Sequence, residues 1–131
     1  IDAWILTPLG HGLPAKYLRF DWRADRFAEW IDVPATDVII LEGVRSADVG
    51  IRERAAIVIW VESTEALRLD RVIERDGPAI RPAMLTFQAR EQEHFTTQGT
   101  RSAAHLVVRG DPEVDHAASE FIGEAGPAEG A

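Results

Sequence analysis

Glu42 closes the aliphatic run Val38-Ile39-Ile40-Leu41 and is followed at once by Gly43. A carboxylate at the end of a buried strand lies where the ligand crevice of an open α/β sheet forms. There it can hold a magnesium ion, directly or through its water, while glycine lets the backbone turn away sharply. The plainer alternative is a solvated strand-end glutamate before a turn. Further along, Arg68, Arg71 and Arg75 stand at i, i+3 and i+7, so on a helix they share one face. Three guanidinium groups on one face can clamp nucleotide phosphates and offset charge on a transferring phosphoryl group. A solvated face, with Arg71 and Arg75 paired to Glu74 or Asp76, is the alternative.

Tyr17, Phe20, Trp22, Phe27 and Trp30 cluster early in the chain. Aromatic faces of this kind stack a nucleobase, at about 1–3 kcal/mol per base, or simply cover a sheet edge. Glu91-x-x-His94 puts two metal-ligand types on one helical face. A di-iron bundle needs two copies of that spacing and further glutamates, so a structural or surface role is expected. The histidines His11, His94, His105 and His116 have no spacing that makes a metal site, and no Gly-x-Ser-x-Gly elbow is present. A phosphate-cradling loop needs Gly-x-x-x-x-Gly-Lys followed by Ser or Thr. The sole lysine, Lys16, lies in Leu13-Pro14-Ala15-Lys16-Tyr17 and cannot be that residue.

The elements that must position these groups follow from the apolar pattern. Val38–Leu41, Ala56–Val61 and His105–Val108 are continuous branched runs, as in strands buried on both faces of a parallel sheet. Between them, Ser63 or Thr64 can cap a helix reaching about Asp76, with Ala66, Leu69, Val72 and Ile73 as its apolar stripe and Gly77-Pro78 as its stop. A second helix is predicted from Pro82 to about Phe95, a short one over Asp48–Arg54, and a last one from Asp111-Pro112 to about Ile122. Tyr17–Trp22 and Phe27–Val33 alternate, so they predict an antiparallel hairpin turning over Arg23–Arg26. The expected architecture is a single α/β domain over residues 1–122, with a hairpin near its start and a frayed acidic tail over 123–131.

With 131 residues, 46% of them hydrophobic and 27% charged, the composition is that of one globular domain. The net charge of −8 argues against a duplex nucleic-acid partner. No apolar run is long enough for a bilayer span, and no secretory leader is visible. The lack of cysteine removes disulfides and thiolate zinc sites and is compatible with a reducing cytoplasm, the expected location. Thirteen of the fourteen basic residues are arginines, which suits bidentate phosphate contacts or reflects genomic base composition.

In order and spacing, several pieces together resemble the C-terminal two-thirds of uridine kinase-like P-loop nucleoside kinases. They are Leu6-Thr7-Pro8-Leu9-x-x-Gly12, Arg19-Phe20-Asp21-Trp22, Asp37 to Val44, Ile59-Trp60-Val61-Glu62, Arg68-Leu69-x-Arg71-x-x-x-Arg75-Asp76, and Ala104 to Gly110. The resemblance covers roughly residues 5–112. It implies a three-layer parallel sheet flanked by helices, and transfer of the ATP γ-phosphoryl group to a nucleoside 5′-hydroxyl with Mg2+. By the same resemblance Glu42 organises the magnesium and has, with Arg71, a catalytic role. Arg68, Arg71 and Arg75 hold ATP phosphates, and Phe20, Asp21, Trp22 and Arg23 line the nucleoside pocket. The family's P-loop strand, its lysine and its Ser/Thr have no counterpart, nor has the element bearing its proton-accepting aspartate. The missing strand belongs between Val38–Leu41 and Ile57–Val61. With the solitary lysine and the start at Ile1, this gives the expectation of a fragment with little or no kinase activity alone. The alternatives are a non-catalytic nucleotide-binding or regulatory module, and a kinase of another small hydroxylated metabolite.

Overall fold

A computed structural model describes residues 1–21, 24–111 and 115–127. The chain forms two compact units, Ile1–Ser46 and Ala47–Ala131. Both are mixed α/β structures.

The first unit starts with a π-helical turn, Asp2–Leu6, that runs into α1 (Thr7–Gly10), with Pro8 in its first turn, where the missing N–H costs nothing. The hairpin follows. Strand β1 (Ala15–Asp21) pairs antiparallel with β2 (Arg26–Val33), Lys16 opposite Asp32 and Leu18 opposite Trp30, with a register shift between Leu18 and Phe20. The turn is chemically specified: Asp21 Oδ1 accepts from the Ala24 N–H at 3.0 Å, and Asp25 takes the left-handed conformation with φ 49°. Across the strands Arg19 grips Glu29 through two hydrogen bonds of 2.7 and 3.0 Å. This bond and the charge behind it hold the Glu29 carboxyl below its ordinary value.

The strand expected at Val38–Leu41 is absent. Among the described residues the segment has no strand partner, and Val38 and Ile40 are 74% and 87% exposed. Branched aliphatics favour extended backbone, but a strand needs a ladder of hydrogen bonds to a neighbour. Among the described residues of this unit the two hairpin strands pair only with each other.

In the second unit α2 (Val49–Arg52) precedes β3 (Ile59–Glu62), which leads into α3 (Glu65–Asp76). Thr64 caps α3, its Oγ1 accepting from the Leu67 N–H at 3.3 Å, and Glu65 complements the helix dipole in the first turn. A 3-10 turn, Pro78–Ile80, joins α3 to α4 (Arg81–Gln98), which ends at Gly99 in the left-handed conformation. Then come a second 3-10 turn, Arg101–Ala103, and β4 (Leu106–Arg109). Strands β3 and β4 are parallel, in register from Ile59 opposite Leu106 to Glu62 opposite Arg109, as a βαβ crossover requires.

The core behind this sheet is thin. Val58, Ala104 and Val107 are buried together, flanked by Ala47 and Trp60, and Trp60 meets Phe95 of α4 edge-on with ring centroids 4.6 Å apart. Burial on both faces, the expectation from unbroken aliphatic runs, is met on one. Ile57, Ile59 and Val61 alternate with Val58 and Trp60 and are 57%, 51% and 64% exposed.

The helix expected over Asp111–Ile122 is not formed in residues 115–122, while Pro112 lies outside the described residues. Strand β5 (Gly123–Ala125) instead pairs antiparallel with β4, so the segment expected to fray begins as a sheet strand. Its small residues are the cause. A Cβ at Gly123 would meet the Val107 carbonyl, and one at Gly126 would overlap the Ala104 carbonyl. Among the described residues no helix is long and apolar enough to cross a membrane.

Candidate functional site

Parallel strands β3 and β4 bring the chain's polar groups together at their carboxyl ends. Glu62, Ser63 and Thr64 leave β3; Arg109, Gly110 and Asp111 leave β4. The Gly110 N–H donates to the Glu62 carbonyl at 2.8 Å, continuing the ladder past the last strand residue. The Thr64 N–H donates to Asp111 Oδ2 at 3.2 Å, which ties the entry of α3 to the exit of β4. Arg109 Nε stands 3.5 Å from Asp111 Oδ1. The Thr64 hydrogen bond first, and the Arg109 charge after desolvation has opposed it, hold the Asp111 carboxyl below its ordinary value. Ser63 Oγ is buried at this edge with no hydrogen-bond partner among the described residues.

Arg71 reaches this edge from α3. Its Nη2 donates to the Gly110 carbonyl at 3.1 Å. The other two arginines go elsewhere. Arg68 pairs with Glu91 of α4, whose carboxylate is 8% exposed, and beside it Gln88 Nε2 donates to the Glu65 carbonyl at 3.0 Å. Arg75 turns to its neighbour Asp76 at 2.7 Å with a side chain 73% exposed. The three guanidinium groups therefore share a helix but each has a different partner, and Arg71 is the one at the strand ends.

On the other side of the strand end, Glu62 is held by Arg101 Nε at 2.9 Å and by the Trp60 indole N–H at 3.2 Å. The Arg101 bond is the main reason its carboxyl is lowered. Sequence reasoning placed Glu62 in a resemblance segment, Ser63 as a cap and Asp111 as a helix start, and gave none of them, nor Arg101, a role in a site. The signal was there for those following the strands, since Glu62-Ser63 and Gly110-Asp111 end two predicted parallel strands, the place that made Glu42 a candidate.

The remaining candidates belong to the first unit. Glu42 is exposed beside Gly43, which has φ 132°, so the sharp turn is present although the strand before it is not. Phe20 packs edge-on against Phe27 with centroids 5.3 Å apart, and Asp21 serves the hairpin turn. Trp22 and Arg23 lie outside the described residues. Among the described residues no three His, Asp or Glu side chains gather as a metal-binding group. Glu91 and His94, the other metal-type pair, have structural partners: Glu91 binds Arg68, and His94 Nε2 meets Asp48 Oδ1 at 2.6 Å.

The strand-end cluster can take an anion on Arg71 and Arg109 and hydrogen-bond donors on Asp111. A scan of protein-family models and a search of curated proteins give no match to this chain.

Proposed function

We propose that the chain is a phosphotransferase-type domain of the uridine kinase kind that binds a nucleotide at the carboxyl ends of β3 and β4. The observation that carries this reading is the Arg71–Gly110 contact, which brings a helix-borne guanidinium to the edge of a parallel βαβ unit. Ligands of open α/β sheets bind at that edge, and the residues there belong to the segments that resemble the kinase family. In this reading Arg71, with Arg109 beside it, holds phosphate oxygens, and Asp111 positions both strand-end loops. Arg68 and Arg75 join only by leaving Glu91 and Asp76. The resemblance also proposes Glu42, which belongs to the first unit, for magnesium; a single exposed glutamate suffices as a protein ligand because the ion keeps most of its water.

Without a phosphate-cradling lysine loop in the sequence, binding is expected to exceed catalysis. Strand β3 ends the described sheet, so its outer edge is the place where a further strand of the family's kind would pair. Calorimetric titration of the chain with Mg2+–ATP and with uridine, beside a phosphorylation assay, is the test. Saturable ATP binding weakened about tenfold by Arg71→Ala, the effect of losing one charge-assisted contact, supports the reading. Binding indifferent to Arg71→Ala, or none, overturns it. The internal engagement of Arg68 and Arg75 favours a second reading, a non-catalytic nucleotide-binding module. Robust ATP-dependent phosphorylation of uridine by this chain would exclude that reading.

A further inference from the structure

The first unit carries an open surface pocket of about 400 Å³ lined by Ala3, Trp4, Pro8, Pro14, Ala15, Lys16, Trp30 and Asp32. That is the lower part of the range for small-ligand sites. Trp4 and Trp30 line the pocket together at 48% and 47% exposure, packed against each other with ring centroids 5.1 Å apart and planes tilted by 59°. The charged groups are set by the hairpin register. Lys16 is directly opposite Asp32, and Leu18 is opposite Trp30, so Lys16, Asp32 and Trp30 project from one face. Lys16 Nζ lies 5.0 Å from the centre of the Trp30 ring. Neither Lys16 nor Asp32 has an ion-pair partner among the described residues.

These features select a ligand by elimination. A simple cation is disfavoured because the face of Trp30 already holds the Lys16 ammonium, an internal cation–π contact. An uncharged hydrophobe would desolvate an ammonium and a carboxylate while satisfying neither. A nucleotide phosphate would gain Lys16 but meet the Asp32 carboxylate with like charge. We propose that the pocket binds a small aromatic zwitterion of the amino-acid type. Its ring lies against the Trp4 indole, its carboxylate takes Lys16 Nζ, and its ammonium takes Asp32. None of Glu42, Arg68 or Arg71 takes part, so the site stands apart from the phosphotransferase reading.

The test is a two-dimensional NMR titration of the full chain with L-phenylalanine, in parallel with 3-phenylpropionate, phenethylamine and uridine monophosphate. L-Phenylalanine is expected to shift the Trp4 and Trp30 indole N–H signals saturably. The probes lacking one charge bind at least about tenfold more weakly, the usual effect of removing a charge-assisted hydrogen bond. Lys16→Met and Asp32→Asn, each with a native-like spectrum, reproduce that loss. No saturable shift, equal binding of 3-phenylpropionate or phenethylamine, preference for uridine monophosphate, or unchanged affinity in both variants each overturns the proposal. The ligand series on the unaltered chain decides the matter even if a variant misfolds.

Discussion

The Arg71 guanidinium donates to the Gly110 carbonyl at 3.1 Å, so the middle of α3 is fastened to the exit of β4. The same exit is fastened to the start of α3 by the Thr64 N–H on Asp111 Oδ2. Two ties from one helix thus meet at Gly110-Asp111. Gly110 is tightly placed there, since a Cβ would meet the Glu62 carbonyl at 3.3 Å and the Val61 side chain at 3.5 Å. In an α/β unit this corner sets the shape of any ligand site, because the loops leaving β3 and β4 form its floor.

The Arg68–Glu91 pair should respond asymmetrically to mutation. Glu91 is 8% exposed whereas the Arg68 side chain is 31% exposed, so the carboxylate is the group left stranded when its partner goes. Arg68→Met is expected to cost about 2–4 kcal/mol, somewhat below the range for breaking a fully buried pair. Arg68→Met with Glu91→Met should recover most of that loss, because methionines of similar length refill the space without a charge. Urea unfolding of both proteins measures it. A double variant as unstable as the single one would mean that packing, and not the stranded charge, carries the effect.

Thr64→Ala should destabilise α3 by about 1 kcal/mol, since its Oγ1 satisfies the Leu67 N–H at the helix start. Thr64→Ser keeps the cap oxygen and should stay close to the parent in thermal unfolding.

Helix α3 was legible because its instructions are local: a cap at Thr64, an acid at Glu65, a stripe through Leu69, a stop at Gly77. The hairpin was legible for the same reason, its alternation and its turn residues lying next to one another in sequence. Val38–Leu41 was misread because a strand is a relation between two segments, and aliphatic content specifies only one of them. Strand β5 was missed for the converse reason. Gly123-Glu124-Ala125 looks like a flexible tail, yet its small residues are what let it close on β4. In the site, the i, i+3, i+7 spacing put three arginines on one face of α3. Their destinations depend on Glu91, Gly110 and Asp76, and the first two come from other elements.

Acidification should loosen the α3–β4 corner. The Asp111 carboxyl is lowered, mainly by the Thr64 N–H, so its folded value lies below the unfolded one of about 3.9. Its stabilisation is complete above that unfolded value and is lost as pH falls through it toward the folded value. Asp111→Asn removes the ionisable group. The variant is expected to melt below the parent at pH 7, with the gap narrowing toward pH 3. Circular dichroism melts across that range measure the gap; a constant difference would show that Asp111 contributes through shape alone.

Gly126 offers the sharpest test of how β5 is held. The residue is buried, its N–H donates to the His105 carbonyl at 2.8 Å, and a Cβ there would overlap the Ala104 carbonyl. The obstacle is backbone on the fully buried Ala104, so no side chain can swing aside to relieve it. Gly126→Ala should therefore detach the segment after Ile122 from β4, leaving β3 and β4 paired through their own ladder. Hydrogen exchange gives a readout specific to this event. Backbone amides of Arg109 and Gly126, which donate to Ile122 and His105 across the β4–β5 pair, should lose protection. The Gly110 amide, which donates to Glu62 on the β3 side, should keep it. If all of these amides lose protection together, β5 is integral to the sheet rather than a strand added to a stable βαβ unit.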